Sequence, residues 1–169
     1  MCTRGSDWAP ARGPSTSPLD GAVDVQAHLL SELQRVFPPI IVPERAAPHV
    51  CPECDEISQA LASRAWLEIP RDFLSRSSGV LPLLSETAYV AYLPAWLREG
   101  LLSPDDGVAA SLVVNLRSDP PVERFTSEQA RVILALAKTM IAANMWPDDD
   151  PTDRESLDGI ERTWAPRAV

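Results

Sequence analysis

The chain has 169 residues, 45% of them apolar, which is enough for one ordinary domain with a real core. A formal net charge of -9 and a pI near 4.6 repel a phosphate backbone or an anionic bilayer, so neither nucleic acid nor a membrane is an expected partner. Of the 15 basic residues all but Lys138 are arginine, which with 17 prolines and many alanines reads as GC-rich coding bias, and no arginine is singled out.

Residues 1–21 are rich in Ser, Pro, Gly and Arg without periodicity and cannot bury enough apolar surface to offset ordering, so a disordered tail is expected. The same stretch has no apolar core of a signal peptide, and Cys2 has no lipoprotein context, so the expected location is the cytoplasm. The helical domain is expected over residues 22–146. In "VDVQAHLLSELQRVF", Val25, Leu29, Leu33, Val36 and Phe37 share one helical face, and Pro38 and Pro39 end the helix. After the proline-spaced loop, a short helix is expected from about Pro52 to Arg64, with Asp55 and Glu56 in its first turn complementing the dipole. "WLEIPRDFLSRSSGVLPLL" fits neither period and predicts a turn of helix plus a loop that packs by side-chain insertion.

"SETAYVAYLPAWLREGLL" is an expected helix with Ser85 as N-cap, Gly100 near its end, and a kink or restart at Pro94. Ser103, Pro104, Asp105 and Asp106 form a helix-start signal for a helix reaching about Leu116. Thr126 and Gln129 form a capping box for "TSEQARVILALAKTMIAANMW", which is apolar almost all round and is expected to be the central, most buried helix. The longest apolar run lies here; it is too short to span a bilayer and contains Lys138. Residues 147–169 carry seven acids against three arginines and read as an acidic tail, with Leu157, Ile160 and Trp164 spaced for one face of a short docking helix. The expected fold class is therefore all-α: a single small helical domain with irregular loops and flexible tails.

"HVCPEC", residues 49–54, is the one stretch that reads as chemistry. Cys-x-x-Cys lets two thiolates reach one metal, and His49 supplies a third donor beside Cys51 and Cys54; the spacing suits zinc. A closed structural site needs a fourth ligand, for which Glu53, Asp55, Glu56, His28 and Glu32 are candidates. A thiol redox pair is the second reading. Against it stand the absence of a βαβ context and the negative charge of Glu53, Asp55 and Glu56, which disfavours thiolate unless a cation is present. The third reading makes both thiols packing residues. Tyr89, Tyr92 and Trp96 form an aromatic stripe that is either core or the wall of a pocket. No glycine-rich phosphate loop and no GxSxG element is present, and two histidines leave few bases.

"HVCPECDE", "LLSETAYVAYLPAWL" and "RFTSEQARVILALA" come in an order that resembles a family of small, uncharacterised bacterial proteins, a domain of unknown function. In that pattern a His-Cys-x-x-Cys-like element precedes a YLP helix and a late FTxEQ helix, and the likeness spans roughly residues 23–145. This chain departs from it by one extra residue between His49 and Cys51. The resemblance implies a single helical domain and carries no activity. The expected function is thus a small binding or accessory protein, with a protein as its candidate partner and a structural zinc site. The alternative is a small metal-dependent enzyme with an open coordination position at His49, Cys51 and Cys54, facing the aromatic stripe. Oligomeric state is not legible.

Overall fold

The computed structural model describes residues 18–42, 45–104, 107–144 and 151–169. Expectations for residues 1–17, for Asp105 and Asp106, and for residues 145–150, including the expected end of the domain at 146, lie outside that set. The architecture is all-α: α1 (Pro18–Val36), α2 (Pro52–Leu61), α3 (Arg71–Arg76), α4 (Glu86–Leu102), α5 (Gly107–Arg117), α6 (Ser127–Asn144) and α7 (Pro151–Trp164), with short 3₁₀ turns at Trp66–Glu68, Leu81–Leu83 and Val122–Arg124. No strand occurs among the described residues. No helix is long and apolar enough to cross a membrane.

Several boundaries differ from those expected, each for a local reason. α1 begins at Pro18, inside the stretch expected as tail, and proline is well suited to a first helical turn. α2 stops at Leu61, ahead of Arg64, because Ala62 leaves helical geometry and Ser63 turns left-handed at φ 58°. Ser103 closes α4 by donating its backbone N–H to the Glu99 carbonyl, and α5 is described from Gly107 onward. The capping box at α6 is present in both directions: Thr126 N–H donates to Gln129 Oε1 at 3.0 Å, and Gln129 N–H to Thr126 Oγ1 at 3.2 Å.

The central helix is α4, not α6. α4 packs against α1, α3, α5 and α6 and against the first two 3₁₀ turns, and it is buried from Ala91 through Leu97 without interruption. It runs through Pro94 as a single element. α6 instead keeps Glu128, Arg131 and Lys138 in solvent. Those charged side chains keep one face of α6 in water, whereas the middle of α4, from Ala91 through Leu97, carries no charge and is covered by its neighbours.

Gly100 is a point of close approach and does not act as a C-cap. A Cβ there would stand 2.8 Å from the Met140 sulfur of α6 and 3.5 Å from Ala109 Cα of α5. The buried charge on α4 is Glu99, which accepts from Arg71 Nε of α3 at 2.6 Å. Phe125 collects the aromatic core, with edge-on contacts to Phe37 at 6.3 Å, Tyr89 at 6.2 Å and Trp164 at 5.1 Å. Trp164 brings α7 onto α5, its indole N–H donating to the Leu116 carbonyl at 2.8 Å, and Lys138 pairs with Glu161 at 2.6 Å.

Two glycines give opposite expectations. Gly100→Ala must displace the fully buried Met140 and is expected to cost about 1–3 kcal/mol, read from urea unfolding. Gly159→Ala on α7 meets only Arg117 Cβ at 3.4 Å, an ordinary contact, and is expected to add about 0.5–1 kcal/mol through helix propensity.

Candidate metal centre

The first turn of α2 is built around a cysteine. Cys51 is the N-cap, in extended geometry at φ -157° and ψ 161°, and its Sγ accepts the Cys54 backbone N–H at 3.3 Å. Pro52 follows at the first helical position, where its missing N–H costs nothing. Capping by the side chain three residues back brings the two thiols to one side of the turn.

The loop that delivers His49 is held by Arg45. Its Nε donates to the Ala47 carbonyl at 2.7 Å, and its guanidinium donates to the His49 carbonyl at 3.0 Å and pairs with the Asp55 carboxylate on α2. Ser58 of α2 adds a second tie, accepting the Ala47 N–H at 3.1 Å. The outcome is that the donor atoms of His49, Cys51 and Cys54 all lie within 4.8 Å of one another. Burial is graded across the set: His49 exposed, Cys51 half-buried and Cys54 1% exposed. This group could hold a metal ion, and no fourth His, Cys, Asp or Glu joins it among the described residues.

The two thiols are electrostatically unequal. A hydrogen bond from His49 is the main influence on Cys51, and with the hydrogen bonds from Cys54 it holds that thiol at about 7. The Cys54 thiol moves the other way, pushed up first by its hydrogen bond to the Cys51 sulfur and then by burial. A low-pKa sulfur at the entrance and a neutral one behind it are what a shared proton between close thiols produces.

The fourth-ligand candidates are elsewhere or engaged. Asp55 is taken by Arg45, and Glu53 and Glu56 point to solvent. His28 is exposed on α1, and Glu32 is bound to Arg35 at 2.8 Å, which holds its carboxyl below the ordinary range. Arg45, by contrast, had no role in the sequence, where arginines were put down to coding bias; its position four residues ahead of His49 was the available signal.

The aromatic stripe does not face the thiols. Tyr92 is buried and its hydroxyl donates to the Leu61 carbonyl at 3.2 Å, at the far end of α2 from Cys51. A helix of 10 residues sets those ends about 15 Å apart. Trp96 is fully buried and donates to the Ser77 carbonyl at 3.3 Å. Tyr89 donates to Asn115 Oδ1 at 2.6 Å, and its burial raises its hydroxyl pKa. Beside this pair lies a cavity of about 330 Å³, also lined by Glu86 and Asp119. Of the stripe, then, Tyr89 touches a cavity, while Tyr92 and Trp96 serve the core. Comparison with protein-family models, with curated proteins and with solved structures finds no match.

In metal-free protein, alkylation of Cys51 should follow its thiolate: slow below pH 7, rising through a midpoint near 7, and level above it. His49→Ala removes the leading cause of the lowered value and should move that midpoint upward, while the Cys54 hydrogen bonds that remain keep it below that of a free thiol, in a mass-spectrometric rate profile.

Proposed function

We propose that His49, Cys51 and Cys54 bind one zinc ion, and that the chain is a small binding or accessory protein in which this ion staples the 45–51 loop to the start of α2. The observation that carries the proposal is the convergence of three borderline-soft donors within 4.8 Å at a helix start where one thiol already caps the helix. Two thiolates and a neutral imidazole neutralise a divalent cation, which suits a site whose innermost ligand is 1% exposed. The Arg45 and Ser58 bonds preorganise the loop and lower the ordering entropy that binding must overcome. An acidic surface and the scarcity of catalytic side chains favour a binding role, with a protein as the natural kind of partner.

A second reading is favoured by the three-ligand count. Three protein ligands leave a fourth position on the exposed His49 side, where zinc would polarise a bound water, as catalytic sites do. The separation of the thiols from the aromatic stripe removes the pocket wall that this reading anticipated.

Protein purified without added metal is expected to carry one equivalent of zinc by elemental analysis. Cys51→Ser and Cys54→Ser should each lose it. Zinc present at a hundredfold excess over its Kd adds about 2.7 kcal/mol, so each variant should melt about 5–10 °C lower than zinc-loaded wild type. An unchanged melting temperature would refute the staple, and iron or copper in the native protein would turn the assignment to the second reading.

A further inference from the structure

We infer that Cys51 and Cys54 close into a reversible disulfide when a hydroperoxide reaches Cys51, and that this closure ejects the bound metal ion, making the site a peroxide-sensitive release switch. The ejection rests on the zinc reading above; the thiol chemistry does not.

Three observations carry the inference. First, the sulfurs occupy the N-cap and the third helical position of one turn, with donor atoms within 4.8 Å, and Cys51 Sγ already lies 3.3 Å from the Cys54 backbone nitrogen. Side-chain rotation brings two such sulfurs to bonding distance without breaking the helix. Both thiols are free. Second, access is asymmetric: Cys51 is half-buried at the surface, while Cys54, at 1% exposure, lies directly behind it. An oxidant therefore meets one sulfur, and the other is sheltered as the resolving thiol.

Third, the electrostatic objection raised by the sequence is answered by the fold. Glu53, Asp55 and Glu56 argued against a thiolate pair in the absence of a cation. Arg45 neutralises Asp55 and donates to the His49 carbonyl, while Glu53 and Glu56 face water, where their charge is screened. The start of α2 adds its own partial positive charge at Cys51.

The step balances as follows. The Cys51 thiolate attacks one peroxide oxygen; the S–O bond forms, the O–O bond breaks, and the departing hydroxide takes up a proton to become water. Cys51 is now a sulfenic acid. The Cys54 sulfur attacks it, the S–S bond forms, the S–O bond breaks, and the second hydroxide leaves as water, its proton coming from the Cys54 thiol in the metal-free chain and from solvent in the zinc-loaded one. Two thiols lose two electrons in all, and hydrogen peroxide is reduced to two waters. With both thiolates consumed, His49 alone cannot retain the metal ion. A dithiol reductant reverses the process.

The test uses the full chain carrying Cys2→Ser, loaded with zinc and treated with hydrogen peroxide beside a chelator-stripped sample. The expected result is an intramolecular Cys51–Cys54 disulfide by peptide mapping in both samples, with zinc released in step with it and rebound after dithiothreitol. Cys54→Ser should stop at a Cys51 sulfenic acid trapped by dimedone. Cys51→Ser should slow oxidation of Cys54 at least about tenfold, because the exposed sulfur is gone. Zinc held through the treatment with both thiols reduced would overturn the switch, as would oxidation to sulfinic acid without an S–S bond. Disulfide closure in a chain that never holds zinc would support the thiol pair and sink the zinc reading.

Discussion

Every helix ends with carbonyl groups that have no partner in the next turn, and at the ends of α1 to α5 in this fold one such group, or one just past the end, accepts from a side chain distant in the chain. Trp66 Nε1 donates to the Phe37 carbonyl just past α1, Tyr92 to Leu61 at the end of α2, and Trp96 Nε1 to Ser77 after α3. Gln26 donates to Leu101 in the last turn of α4 and Trp164 to Leu116 in the last turn of α5. Gln129 serves two termini, capping its own helix through Oε1 and closing α1 at Val36 through Nε2. Among the described residues no glycine takes positive φ, and the left-handed positions that follow α2 and α5 are held by Ser63 and Asp119. The ends of the helices and the packing of the helices are consequently one problem with one solution.

That arrangement explains the placement of α4. The middle of α4, buried without interruption from Ala91 through Leu97, is stable only when other elements wall it in. The loop carrying His49 is one of them. Ser85, the N-cap of α4, donates its backbone N–H to the Ala46 carbonyl at 2.8 Å, and Val42, Ala46 and Ala47 are buried against the core. The candidate metal centre therefore lies at the margin of the core, with one ligand inside it, one at its surface and one in solvent. A site so placed can couple metal binding to loop order without disturbing the central helix.

The candidate site was legible as a motif and not as an environment. His49, Cys51 and Cys54 are adjacent in sequence, so their spacing alone brings them together, and the structure adds the N-cap role of Cys51 and the pairing of Arg45 with Asp55. The carboxylates near the motif looked like ligands or like a source of repulsion according to what stood opposite them, and only the fold shows that an arginine does. The aromatic stripe, open in the sequence between core and pocket, is a similar case. Tyr89, Tyr92 and Trp96 share a helix face, but a face becomes a pocket or a core according to which elements cover it.

What the sequence by itself determined is the set of local decisions: the amphipathic register of α1, the Ser85 cap, the Thr126–Gln129 capping box, the all-α class, and a helix starting at a cysteine. These depend on interactions between residues a few positions apart, where spacing dictates geometry. Tertiary structure alone decided which helix is central, why Gly100 must be glycine, and which distant side chains reach the ends of α1 to α5. It also decided that a cation stands beside the thiols. Those choices rest on contacts between residues distant in the chain, such as Gln129 with Val36 and Trp66 with Phe37, and no local pattern encodes which donor will meet which carbonyl.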